Sequence, residues 1–99
     1  MAHRILVADS IAPQGLEILR EAGEVVERPG LAEEELTGMV RDFDALVVRS
    51  ATKVTRRIVD AGTSLKVIAR AGVGVDNVDV AAATRRGVLV VNSPGGNTV

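Results

Sequence analysis

The sequence predicts an α/β fold: five short parallel strands in one open sheet, order 2-1-3-4-5, with helices on both faces. Three observations carry this expectation. Brief apolar runs recur at residues 5–8 (ILVA), 24–27 (EVVE), 44–48 (DALVV), 66–69 (KVIA) and 88–91 (VLVV). Between them lie segments whose apolar residues return at helical spacing. The alternation β-α-β-α-β-α-β-α-β is regular throughout, and strands apolar on both sides belong to parallel sheets joined by right-handed crossovers. Together these describe a flavodoxin-like sheet that lacks the last covering helix.

Each element has its own local reason. The first strand ends at Asp9-Ser10, and Pro13 suits a first helical turn, where a missing N–H costs little. Leu16, Leu19 and Ala22 share a helical face, and Gly23 reads as the stop. The charged ends of Glu24 to Glu27 suit a sheet edge. After the Pro29-Gly30 turn a second helix starts near Ala32, with Leu36, Met39 or Val40, and Phe43 on its inner side. Glu33, Glu34 and Glu35 favour its N-terminus through the helix dipole rather than forming a metal site, since adjacent residues point apart. The third strand ends at Arg49-Ser50. Thr55 can cap a helix carrying Ile58, Val59 and Ala61, which closes at Gly62. The last complete helix runs from Asp79 to Arg86 and stops at Gly87, and Asn97-Thr98 resembles the cap of a further one.

Composition narrows the function. Ninety-nine residues make one small domain, 46% apolar but only 1% aromatic, so the core is Val, Ile, Leu and Ala. A net charge of −1 gives no field for nucleic acid or acidic membranes. No run reaches membrane-spanning length and no signal-peptide pattern follows Met1, so the expected location is the cytoplasm. Without cysteine there is no thiol chemistry and no cysteine-based metal site. His3, the sole histidine, precedes the first strand at the end of the sheet away from the strand C-termini. Ser10, Ser50 and Ser93 therefore have no base, no acid pair is spaced for hydrolysis, and neither catalytic nor metal-binding residues are assigned.

The chemistry-bearing stretch is residues 65–80, LKVIARAGVGVDNVDV: a buried strand, a charged glycine loop, then Asp76, Asn77 and Asp79 as acceptors for a helix start. Such loops expose backbone N–H groups to anions. A dinucleotide fingerprint would need a third glycine, which Gly72-Val73-Gly74-Val75-Asp76-Asn77 lacks, and Asp76 would bring a carboxylate beside any pyrophosphate. Taken alone, the loop reads as a tight βα turn that binds nothing. The topology adds to it: ligands of such sheets bind at strand C-termini near the switch point. Asp9-Ser10, Arg49-Ser50, Arg70-Ala71-Gly72 and Asn92-Ser93 share that edge. Two arginines ending adjacent strands beside a glycine loop favour a site for a small anion, carboxylate or phosphate. A phosphorelay receiver is excluded because Arg49 or Ser50 stands where the acceptor aspartate would be. A flavodoxin is excluded because Asp9-Ser10-Ile11-Ala12-Pro13 is no flavin-phosphate loop and Phe43 is the only ring.

The segments ILVADSIAPQGLEIL, VVRSATKVT (residues 47–55) and VIARAGVGVDNVDVAAATRRGVLVVNSPGGNTV (residues 67–99) closely resemble the N-terminal region of the D-isomer-specific 2-hydroxyacid dehydrogenases. The resemblance implies that residues 1–99 are a substrate-binding half-domain, cut before an inserted NAD-binding Rossmann domain that would carry the glycine fingerprint and the catalytic arginine, glutamate and histidine. The implied reaction of the whole is oxidation of 3-phosphoglycerate to 3-phosphohydroxypyruvate with NAD, at the entry to serine synthesis. Residue by residue, it implies substrate contacts at Arg49 and Ser50, an arginine facing the substrate phosphate at Arg70, carboxylate-binding amides at Ala71, Gly72, Val73 and Gly74, and a further contact at Asn97. Val73 would lie on the nicotinamide side of the cleft, where some relatives carry a hydroxyl. The expected partner is a phosphorylated 2-hydroxyacid. NAD belongs to the parent enzyme, with none expected on these 99 residues, which are expected to be inactive alone. The alternative is a stand-alone anion-binding or assembly module without catalysis. Around residues 67–69 and 88–91 the sheet face is expected to be uncovered, so the chain is expected to self-associate through it, dimerise by exchange of elements, or lose stability as a monomer.

Overall fold

The computed structural model describes residues 3–72 and 76–93, with Ser93 described by its backbone. The expected cap at Asn97-Thr98 and the site residues Val73, Gly74 and Asn97 lie outside the described residues. The elements are β1 (His3–Val7), α1 (Pro13–Ala22), β2 (Gly23–Glu27), α2 (Glu33–Val40), β3 (Ala45–Val48), α3 (Arg56–Ala61), β4 (Val67–Ala71), α4 (Val80–Arg85) and β5 (Leu89–Ser93). All strand pairs are parallel and the order is β2-β1-β3-β4-β5, as the sequence predicts.

Register explains how the two faces are filled. Val26, Leu6, Leu46, Ile68 and Val90 form one row across all five strands. This row packs with Leu36 and Val40 of α2, Ile58 and Val59 of α3, and Ala82 and Ala83 of α4 in the main core. On the opposite face Ile5, Val7 and Val47 pack with Leu16 of α1. Among the described residues α1 is the helix on this face; its cluster reaches Ala69 of β4, and burial falls away at β5. Val67 and Ala69 of β4 are half-buried, whereas Leu89 and Val91 of β5 are 63% and 40% exposed.

Capping follows the sequence at two helices. The Thr55 hydroxyl accepts from the Ile58 N–H at 3.5 Å, and the Asp79 carboxylate accepts from the Ala82 N–H at 2.9 Å. Gly87 ends α4 with φ +73°. Several boundaries move. Ala22 is exposed rather than on the buried face of α1. Gly23 does not only stop α1 but opens β2, and a Cβ there would lie 2.3 Å from the His3 carbonyl oxygen. Phe43 follows α2 in a turn, buried beneath the Arg4 guanidinium at 4.6 Å from its ring centroid. Arg70 and Ala71, expected in the glycine loop, belong to β4. The reason is cross-strand pairing: Arg70 stands beside Val48 and Asn92, and Ala71 beside Ser93.

Candidate functional site at the strand C-termini

The edge formed by the ends of β1, β3 and β4 holds the polar residues of interest. Between β1 and β3 the connections leave in opposite directions, which is the switch point of this topology. An open cavity of about 390 Å³ lies there, lined by Asp9 and Ser10 after β1, Pro29 and Gly30 after β2, and Arg49, Ser50 and Ala51 after β3. The Pro29-Gly30 turn forms its far wall, with Gly30 at φ +82°. Sequence reasoning did not include that turn, because no local signal ties it to the other two strand ends.

Asp9 organises this edge. It is the only buried charged residue among the described ones, 5% exposed. Burial of a carboxylate is costly unless its oxygens are hydrogen-bonded. Here one oxygen accepts from the N–H groups of Arg49 at 2.6 Å and Thr52 at 3.1 Å, and the other from the Thr52 hydroxyl at 2.6 Å. The 49–52 loop is held from another direction by Asn77, whose Nδ2 donates to the carbonyls of Arg49 and Thr52 at 2.5 and 2.6 Å. Asn77 was expected to help open α4. It reaches across to the loop instead, and Asp79 alone caps the helix. A parallel bridge between Val54 and Val78 continues the junction, with the Val54 N–H donating to the Asn77 carbonyl at 2.8 Å.

The two arginines sit on neighbouring strand ends. Arg49 is exposed, and its Nη1 donates to the Ser10 carbonyl at 3.3 Å. Arg70 is half-buried at the end of β4 and curls back over its own loop: a Cβ built on Gly72 would lie 3.3 Å from Arg70 Nη1. Gly72 also has φ +144°, a conformation that side chains disfavour, and this backbone angle is the main reason for glycine there. Asn92 Nδ2 donates to the Gly72 carbonyl at 3.5 Å, which joins the fourth of the expected segments to the same edge. Arg49 and Ser50 line the cavity, whereas Arg70, Ala71 and Gly72 stand at the neighbouring strand end and are not in its lining.

Other chemistry is sparse. His3 lies at the opposite edge of the sheet, 3.8 Å from Asp44. Among the described residues no group of three or more histidines and carboxylates could hold a metal ion, and no helix is long and apolar enough to cross a membrane. The first turn of α4 is capped by the Asp79 carboxylate, which accepts from the Ala82 N–H at 2.9 Å.

Comparison with known proteins identifies the family and the fold. The chain is 54% identical over 96 residues to the D-3-phosphoglycerate dehydrogenase of Synechocystis, a match that spans 97% of this chain but 17% of that enzyme. Its structure superposes on that of the PH0520 protein from Pyrococcus horikoshii with a TM-score of 0.90 at 33% identity, covering 96% of this chain and 28% of the other. It superposes on an NAD+-bound 3-phosphoglycerate dehydrogenase from Entamoeba histolytica with a TM-score of 0.85 at 34% identity, covering 96% and 34%. The family model of the D-isomer specific 2-hydroxyacid dehydrogenase catalytic domain matches residues 5–99, and the chain belongs to that family.

Proposed function

We propose that residues 1–99 form the substrate-binding part of an NAD-dependent D-3-phosphoglycerate dehydrogenase acting in serine biosynthesis in the cytoplasm. The carrying observation is the rim itself: Arg49 with its hydrogen-bonded loop after β3, beside Arg70 at the end of β4. Two guanidinium groups on adjacent strands suit a ligand with two anionic groups, such as a carboxylate and a phosphate on a three-carbon chain. The identity shared with the Synechocystis enzyme supports the same substrate class.

In this reading Arg49 and Ser50 hold one anionic group and Arg70 the other, while the amides of Ala71, Gly72, Val73 and Gly74 receive the carboxylate and Asn97 adds a contact. NAD supplies the hydride acceptor in the complete enzyme. It is held by an inserted nucleotide-binding domain, with Val73 facing the nicotinamide. The chain's own residues bind and orient the hydroxyacid; proton transfer and cofactor binding belong to other parts of the enzyme. Leu89 and Val91 mark a face for self-association.

Calorimetric competition tests the substrate class. 3-Phosphoglycerate is expected to bind more tightly than either inorganic phosphate or unphosphorylated glycerate, because only it engages both arginines. Equal affinity for all three would contradict the reading. Purified chain is expected to form no NADH from 3-phosphoglycerate, and turnover above a heat-killed control would contradict the division of labour.

A further inference from the structure

Building on the anion-site reading above, we propose that Asp9 and Asn77 are positioning residues that fix the Arg49–Thr52 loop in its ligand-ready form. The two side chains divide the work by charge. Asp9 takes both N–H groups, of Arg49 and Thr52, and Asn77 supplies donors to both carbonyls of the same two residues. Every backbone polar group at the loop's two ends is thereby satisfied, by one side chain just after β1 and one from the segment before α4. What lies between is left over. The N–H groups of Ser50 and Ala51 make no hydrogen bond among the described residues, and both residues line the cavity at the switch point.

This arrangement has a chemical consequence. Backbone amides without internal partners, flanked by a guanidinium, are suited to an anion, and they bind it well only when held still before it arrives. Asp9 cannot itself contact an anion favourably, since it is a carboxylate and its oxygens face inward to Arg49 and Thr52. Its effect passes through the loop. Asn77 acts in the same way from the other side and connects the loop to the residues just before α4. Loss of either grip frees the loop to sample other conformations, and ligand must then restore the order at the expense of affinity.

Amide hydrogen exchange and 3-phosphoglycerate titration, both followed by NMR on the 99-residue chain, test this. In the wild type the Arg49 and Thr52 amides are expected to be protected and shifted downfield by the Asp9 carboxylate. Asn77→Leu keeps the volume and removes the donors, and it avoids the risk that Asp9→Asn, at a buried site, fails to fold. In Asn77→Leu, exchange at Arg49 and Thr52 is expected to speed up while Leu46 and Ile68 stay protected. Affinity is expected to fall about fivefold or more. The ligand-induced shifts at Ser50 and Ala51 should fade while those at Gly72 persist. If Asn77→Leu matches the wild type in loop exchange and affinity, the positioning role is wrong and the anion site stands. If the wild type shows no ligand-induced shift at Arg49, Ser50 or Gly72, the anion site itself is wrong and this role falls with it.

Discussion

The guanidinium of Arg70 lies over Gly72, close enough that a Cβ on the glycine would stand 3.3 Å from Nη1. The arginine at the end of β4 therefore lies close beside the first residue of the loop. Gly72→Ala should disturb it in two ways, by the positive φ and by pushing the guanidinium aside. A loss of about 1–2 kcal/mol in stability is expected, together with weaker 3-phosphoglycerate binding. Urea unfolding and a binding isotherm on the same variant measure both. Unchanged stability would mean that the loop adopts another conformation.

At Gly23 the constraint is steric rather than conformational. Its φ of 175° is open to any residue, but a Cβ would meet the His3 carbonyl oxygen at 2.3 Å. Gly23→Ala is expected to push β2 away from β1 at its first pair and to cost on the order of 2 kcal/mol or more. Gly30→Ala is a useful contrast, since nothing lies within 4 Å of its Cβ position and only the positive φ of 82° penalises it. A urea midpoint for Gly23→Ala equal to the wild type would refute the close approach.

Asp44 carries the pH dependence that the structure supports. Its carboxylate accepts the Arg4 N–H at 2.9 Å and lies 3.5 Å from Lys66 Nζ and 3.8 Å from His3 Nδ1. The Arg4 hydrogen bond, aided by the charges of Lys66 and His3 against some desolvation, holds its pKa below the usual carboxylate value. A depressed carboxylate pKa gives stability that is complete above the unfolded-state pKa and is lost as pH falls through the folded-state value. Asp44→Asn should therefore be less stable than wild type at neutral pH, with the gap closing in acid. Thermal unfolding between about pH 2 and pH 7 shows it, and a gap constant across that range would contradict the assignment.

Much of this architecture is legible in the chain because it depends on local pattern. Apolar runs give the strands, glycine and proline give the breaks, and Thr55 and Asp79 announce the helix starts that they cap. The strand order follows from the regular alternation and strand number. The residues hardest to read are those whose partners are distant. Asp9 reads as a strand end, yet it is gripped by residues forty and more positions away. Asn77 reads as a helix-opening acceptor and acts as a donor to another loop. Arg70 and Ala71 read as loop until β5 supplies Asn92 and Ser93 as neighbours. A carboxylate directly following a fully apolar strand was the available hint of Asp9, since a charge in that position must find buried donors or leave the core.

The half-covered sheet gives an expectation for association. Register puts Val67, Ala69, Leu89 and Val91 on the face of α1, and among the described residues the α1 cluster reaches Ala69 but leaves Leu89 and Val91 of β5 exposed. Apolar side chains clustered this way tend to be buried by association. Sedimentation at micromolar concentration should show concentration-dependent dimers or larger species, and Leu89→Lys should shift the chain towards monomer. A wild-type monomer that binds no hydrophobic dye would contradict this role for β5.

The anion site at the strand C-termini is tested most directly by adding millimolar 3-phosphoglycerate to the 15N-labelled chain and following its amide resonances. Saturable shifts are expected at Arg49, Ser50, Ala51, Arg70 and Gly72, with little change at the opposite edge around Arg4 and Asp44. Shifts confined to another surface, such as the groove formed by Val80, Thr84 and residues 87–90, would contradict the assignment of the site.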